Sequence, residues 1–289
     1  MGKLVEQGLE DWDLVIEPRN NIFQLHLKEL WNYRYLLVMF VKRDIVSVYK
    51  QTILGPVWFF VQPILTTITF VVIFGNIARI STDGLPQILF YLAGITVWNY
   101  FSETLTATSN TFIVNANIFG KVYFPRLILP LSKVISGLIK FAIQYLLFVL
   151  ALVYFLLRGS MINPNLLGII ILTPLLLLIM AALSLGVGLI LSALTTKYRD
   201  LNFLIAFGIQ LGMYATPIIY PLSALHSKYK KFIIANPMSS LVETFRKIYL
   251  GAGELNWPGL IYSSVFAFII LFIGIIIFNQ VEKTFMDTV

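Results

Sequence analysis

The chain turns from polar to apolar near residue 57 and stays apolar, with short interruptions, almost to its end. Six stretches reach the about 20 residues a helix needs to cross a bilayer: Val57–Phe74, Ile88–Asn110, Val134–Leu157, Leu166–Leu194, Leu201–Tyr220 and Gly259–Asn279. Hydrocarbon offers no hydrogen-bond partner to the backbone, so such stretches persist there only as helix. The pattern predicts an all-α integral membrane protein with six spans within residues 57–289.

Residues 1–56 read differently. The leader to Asn21 carries Glu6, Glu10, Asp11, Asp13 and Glu17, with no basic segment leading into an apolar core, so it does not read as a cleaved signal peptide. From Ile22 to Lys50 apolar and aromatic residues mix with Lys28, Arg34, Lys42, Arg43 and Lys50. The apolar run Leu36–Val41 is too short to span. This region is predicted to be a cytoplasmic leader followed by an amphipathic helix lying in the headgroup plane.

Composition strengthens the membrane reading. Hydrophobic residues make up 58% and charged residues 12%, against about 45–50% and about 25% in soluble domains. With no cysteine, disulfides, thiol catalysis and Cys-ligated metals are excluded, and with two distant histidines, His26 and His226, an imidazole metal site is not expected. The net charge of +7 fits loops facing anionic lipid rather than nucleic acid. Counting Lys and Arg in the connections places thirteen on the side of the N-terminus and seven on the other, with Lys140 inside the third span. This favours both termini in the cytoplasm. The awkward connection is Pro221–Pro258, which carries five cations on the outer side. Its apolar pieces, Phe232–Ala235 and Leu241–Leu250, are too short to cross and are expected as re-entrant or interfacial helices.

Catalytic chemistry is sparse. No P-loop, nucleophile elbow or HExxH zinc motif occurs, and the two Gly-Lys pairs, Gly2-Lys3 and Gly120-Lys121, lack the flanking residues a phosphate cradle requires. The spans carry little ionisable chemistry beyond Glu103 and Lys140, where proton-coupled transport would plant several such groups. Uphill transport would therefore draw its energy from a partner. No cofactor is expected on this chain.

Five motifs occur in order: RDIVSVYKQTILGPVWFFVQP (43–63), KVYFPRLILPLS (121–132), YRDL (198–201), TPIIYP (216–221), and Asn236-Pro237 followed by ETFR (243–246). Together they resemble the type-2 ABC exporter permeases, in particular the transmembrane subunits that export O-antigen, teichoic acid or capsule-like polysaccharide. The resemblance implies a homodimer in the prokaryotic inner membrane, with two copies of an ABC ATPase subunit binding ATP and Mg on its cytoplasmic side. It implies a lipid-linked glycan as substrate, passed from the cytoplasm to the outer face, and no nucleic acid. It also implies an ATPase-coupling element between the second and third spans, centred here on Asn117, Ile118, Phe119, Gly120, Lys121 and Val122. The residues agree, since Ile118-Phe119 is a short apolar knuckle on the basic side of the membrane.

Two helical faces are candidates for a channel lining, and the resemblance assigns the first and fifth spans to the path. Phe59, Gln62, Thr66, Thr69 and Ile73 share one face of the first span, and Phe203, Phe207, Gln210, Tyr214 and Pro217 one face of the fifth. Aromatic rings beside amides and hydroxyls suit a sugar, whose CH face packs on a ring while its hydroxyls exchange hydrogen bonds. The competing reading is ordinary helix packing through polar side chains. Arg43, Lys50 and Arg199 are candidates for the cytoplasmic entry of a lipid-linked pyrophosphate, although cations also flank spans for topological reasons alone. Glu103 and Lys140 fall at similar depth on consecutive spans and are candidates for a buried ion pair, the alternative being that Lys140 snorkels to the cytoplasmic headgroups with Glu103 protonated or facing channel water. Ser184, Gly188 and Ser192 form a small-residue stripe expected to serve packing. Pro63, Pro174 and Pro217 fall within the expected spans, where each can bend its helix.

The reading is a six-span permease subunit and not an enzyme. Its rivals are a small-molecule or drug exporter of the same group, a membrane-embedded glycosyl- or acyltransferase, and a non-catalytic scaffold. The transferase would need clustered acids or histidines at a membrane face, and the scaffold would not need the knuckle.

Overall fold

The computed structural model describes residues 27–50, 55–119, 124–198, 200–253 and 255–288. Every regular element among them is helical. Short helix α1 (Leu27–Asn32) leads into α2 (Arg34–Tyr49). The first long rod is α3 (Trp58–Phe70), continued by a π-helical segment, Val71–Ile77. Then come α4 (Gln87–Ser109), α5 (Thr111–Phe119), α6 (Ile128–Leu157) and α7 (Leu166–Lys197). The last third holds α8 (Leu201–Tyr214), α9 (Ser227–Ala235), α10 (Pro237–Leu250) and α11 (Trp257–Thr288).

Among the described residues, four helical segments are long and apolar enough to cross a membrane: Trp58–Ile77, Ile128–Leu157, Leu166–Lys197 and Trp257–Val281. The two other expected spans fall short on different grounds. Helix α4 has the length, at 23 residues, but carries a polar stripe and is buried on most of its circumference, from Leu89 to Ser109. Helix α8 is apolar but has 14 residues, about 21 Å at 1.5 Å per residue, against a hydrocarbon core of about 30 Å.

Helix α4 is the axis of the bundle. Its Phe90, Tyr91 and Ile95 join Phe148 of α6, Ile179 of α7 and Phe245 and Tyr249 of α10 in one continuous core. A second core at the opposite end gathers Phe40 of α2, Phe112 of α5, Leu185 and Leu189 of α7 and Phe278 of α11. Phe112 and Phe278 stack there with ring centroids 4.6 Å apart. The closest helix crossing is α7 on α11. A Cβ on Gly274 would lie 2.5 Å from the Gly186 carbonyl oxygen, and one on Gly186 would lie 2.6 Å from the Leu271 Cα, so backbone meets backbone. The small-residue stripe of α7 faces α4, where a Cβ on Gly188 would meet Thr108 at 2.6 Å.

Several boundaries differ from the sequence reading, each for a local reason. Helix α6 starts at Ile128, six residues before Val134. It tolerates Pro130 because the first turn of a helix has no intrahelical use for that N–H. Helix α8 stops at Tyr214, so Pro217 does not bend a span. It sits in the turn that follows, where its carbonyl accepts from a buried arginine. Pro63 and Pro174 do lie inside helices. The Pro221–Pro258 connection folds into α9 and α10, joined at Asn236. That residue ends α9 and caps α10, its Oδ1 accepting from Met238 N at 3.0 Å with Pro237 in the first helical position. Gly251, at φ 79°, closes α10 in the left-handed conformation.

Candidate functional site

The polar stripes of α4 and α6 face each other and run in step. Asn99 Nδ2 donates to Gln144 Oε1 at 3.2 Å. Four residues on in α4 and four back in α6, Lys140 Nζ donates to Glu103 Oε2 at 3.2 Å. Phe59 of α3 joins them, its ring centroid 5.9 Å from Lys140 Nζ. The paired side chains are not sealed off: Lys140 is 29% and Glu103 33% exposed. They line a cavity of about 470 Å³ together with Ser102, Thr106, Asn110 and Lys133. A cavity edged by hydroxyls, amides and two cations, each with a carboxylate partner, can hold water or the hydroxyls of a solute without stranding a charge.

Towards the α2 end of this cavity the cations are already engaged. Lys133 Nζ donates to Asp44 Oδ2 at 2.7 Å. Arg43 Nη2 donates to the other Asp44 oxygen at 2.9 Å, with its guanidinium 4.7 Å from the Phe40 ring centroid. Of the proposed entry cations, Lys50 is exposed, Arg43 is tied to Asp44, and Arg199 lies outside the described residues.

The two channel-face candidates are both at the surface of the single chain. On α3 the buried side chains are Pro63, Thr67 and Phe70, so the stripe through Gln62, Thr66 and Thr69 is turned about 100° away from the core, one residue along the helix. Gln62 and Thr69 are exposed and Thr66 is half-buried. Thr66 and Thr69 donate their hydroxyls to the Gln62 and Leu65 carbonyls at 2.9 Å, which leaves the hydroxyl lone pairs open to an incoming donor. On α8 no residue is buried; Phe203, Phe207 and Tyr214 are 82%, 58% and 47% exposed, and Gln210 is exposed too. Leu65 and Ile68, on other faces of α3, are also open. The candidate stripes and the neighbouring faces of α3 are thus both open in the single chain.

The first residues of the expected coupling segment, Asn117–Phe119, form the end of helix α5. Ile118 packs on the second core beside Phe40 and Phe112, while of Asn117 and Phe119 the backbone alone is described. Gly120, Lys121 and Val122 lie outside the described residues.

At the opposite end of the bundle the structure brings forward a residue that sequence reasoning treated as a loop cation. Arg246 of α10 is 2% exposed. It donates through Nη1 to the Pro217 carbonyl and through Nη2 to the Ile218 carbonyl at 2.6 Å. Its guanidinium lies 3.6 Å from the Phe90 ring centroid. Glu243 Oε1 approaches it at 3.6 Å, an ion contact too long to be a hydrogen bond. Burial pushes the Arg246 pKa down to about 10, against the opposing pull of Glu243 and Tyr91. Burial likewise raises the Glu243 pKa, with Arg246 opposing. The available signal was the ETFR spacing, which places Glu243 and Arg246 one turn apart on an amphipathic helix. Asn236 adds a second tie, its Nδ2 donating to the Ala215 carbonyl at 3.1 Å and to Thr216 Oγ1 at 2.9 Å. No group of three His, Cys, Asp or Glu side chains that could hold a metal ion occurs among the described residues.

Comparison with known proteins adds a consistent result. The family described as ABC-2 type transporter matches residues 35–250. An O-antigen export system permease protein, RfbA, of Klebsiella pneumoniae is 28% identical over 266 residues, covering 91% of this chain and 99% of the relative. RfbA of Myxococcus xanthus is 26% identical, covering 91% and 98%. The polysialic acid transport protein KpsM of Escherichia coli is 22% identical, covering 85% and 93%.

Proposed function

Since the chain belongs to the ABC-2 type transporter family, a family of membrane permeases that work with an ABC ATPase, we infer that it is the channel-forming subunit of an ATP-driven polysaccharide exporter. Its cargo in this reading is a lipid-linked, O-antigen-like glycan carried from the cytoplasm to the outer face of the inner membrane. The observation that carries the reading is the likeness over nearly the full length to permeases named for O-antigen export. Two copies of the chain would face each other across the path and bind two ATPase subunits that hold ATP and Mg. Helices α4 and α8 complete six spans, both termini are cytoplasmic, and residues 1–56 form the leader and interfacial helix. The bare α8 surface supports the dimer, since a helix without buried residues of its own takes its packing from outside the chain.

Within this reading each candidate residue has a task. Phe59, Phe203, Phe207 and Tyr214 offer rings to sugar CH faces, and Gln62, Thr66, Thr69 and Gln210 offer exchangeable hydrogen bonds. Lys50 and Arg199 flank the cytoplasmic entry, and the segment through Phe119 docks in the ATPase. Deleting the gene in its native host tests the function. Surface polymer should disappear, the finished or growing glycan should accumulate inside, and a plasmid copy should restore export only alongside the ATPase. Surface polymer that persists in the deletion strain would remove the assignment, as would ATP turnover by the purified chain alone.

A further inference from the structure

A second polar cavity, of about 460 Å³, lies at the end of the bundle away from α2 and α5. It is built by the turn before α4, the segment leading into α9, helix α10 and the start of α11. Asp83 sits in that turn with φ 53°, a left-handed conformation that Asp tolerates better than most residues. The Ser223 hydroxyl lies 2.8 Å from both Asp83 carboxylate oxygens, so its single hydrogen is shared between them. Glu243 lines the same cavity and is 9% exposed, yet its Oε1 accepts no hydrogen bond. The other carboxylate oxygen lies beside Gly253, where a Cβ would come within 3.1 Å of Glu243 Oε2. Asn256 spends its Oδ1 on the Gly259 N–H at 3.0 Å, so its amide N–H groups take no part in that cap. Trp257, 52% exposed, and Ser240 complete the lining.

Two carboxylates, a hydroxyl, an amide and an open indole around one cavity form the donor set suited to a pyranose. Each carboxylate can accept two hydroxyl protons from a vicinal diol, and an indole face covers the CH side of the ring. Lys230 also lines the cavity, and a cation there works against capture of a metal ion. The Glu243 carboxylate, with Arg246 3.6 Å from its Oε1 as a partial counter-charge, brings a second acceptor to the edge of the cavity that a sugar hydroxyl can use. We propose that this cavity is a saccharide-binding site on the outer side of the permease, holding a sugar of the glycan as it leaves the path. The outward placement rests on the proposed export orientation; the binding chemistry does not.

The test uses the full permease–ATPase complex in lipid nanodiscs and titration calorimetry. The probes are an oligosaccharide cut from the host's own surface polymer and the methyl glycosides of glucose, galactose and mannose. Saturable saccharide binding is expected, weakened about tenfold or more by Asp83→Ala and by Trp257→Ala, whose side chains are at the surface and carry little of the fold. Trp31→Ala, at the far end, should leave it unchanged. A fragment held more tightly than its component glycosides identifies the passing polymer as the source, and equal affinities identify free sugar. Absence of saturable binding, binding untouched by both cavity variants, or heat from calcium ion alone would overturn the site. Export in the deletion strain is scored separately, so a site that fails while export succeeds leaves the function standing.

Discussion

Lys140 Nζ stands 3.2 Å from Glu103 Oε2, joining α6 to α4 at the point where their polar stripes meet. A lone ion deep in a span costs about 2.5–3.5 kcal/mol on insertion scales, and with each side chain about one-third exposed water offsets part of that. Glu103→Gln and Lys140→Met should each lower the folded yield, and the double variant should recover much of the loss. Strictly additive losses in the double-mutant cycle would show that the contact carries no coupling.

Arg246 holds the carbonyls of Pro217 and Ile218 from inside the core. Arg246→Met leaves both carbonyls without their donor and the Glu243 carboxylate without its counter-charge, a loss of about 3–5 kcal/mol for a broken buried pair. Arg246→Lys should recover little, because an ammonium lacks the planar fork that reaches two oxygens at once. Thermal unfolding followed by size exclusion reads this directly, and a methionine variant as stable as the parent would contradict the latch.

Gly274→Leu should destabilise the α7–α11 crossing by about 1–3 kcal/mol or more, as overpacking does where backbone is the obstacle. Gly208→Ala is the matched control, since a Cβ there meets nothing within 4 Å. It should hold or raise stability, alanine being the better helix former by about 1 kcal/mol. Equal melting temperatures for the two variants would mean the crossing is looser than described.

Single cysteines at Gln62, Thr66, Gln210 and Tyr214 should react with a membrane-impermeant thiol reagent faster than cysteines at Leu65, Ile68 and Ile209. The chain has no cysteine of its own, so the background is clean. Because Leu65 and Ile68 are as open in the single chain as the candidates, the assay reports the medium facing each stripe. The opposite labelling order would put lipid on the proposed channel face.

Phe119→Asp should abolish co-purification with the ATPase while leaving the permease in the membrane. A carboxylate pressed into an apolar groove loses its water with no partner to replace it, at a cost of several kcal/mol. Retention of the ATPase together with normal export would move the coupling contact elsewhere.

Much of this architecture was legible as period and length. The apolar runs mark the long helices, and the matching polar stripes on α4 and α6 meet because the two helices pack side by side, Asn99 on Gln144 and Glu103 on Lys140. The end of α8 was not legible, because an apolar run through Tyr220 looks the same whether it continues as helix or turns at Ala215. The turn is fixed by Arg246 and Asn236, more than twenty residues downstream. Arg246 itself was hidden by charge counting. Counting treats every Lys and Arg of a connection alike, so it does not distinguish an exposed cation from one whose Nη groups hold the Pro217 and Ile218 carbonyls inside the core. Gly186 and Gly274 gave no sign either, since close approach of two glycines is a property of the crossing and of neither helix alone.

Asn236 and Arg246 together fasten one end of α8, while the rest of that helix presses on its own chain only lightly. In mechanical terms this is a lever with its fulcrum near Thr216. Its arm is roughly 21 Å long at about 1.5 Å per residue, so a tilt of about ten degrees sweeps the Leu201 end through nearly 4 Å while the pinned end stays in place.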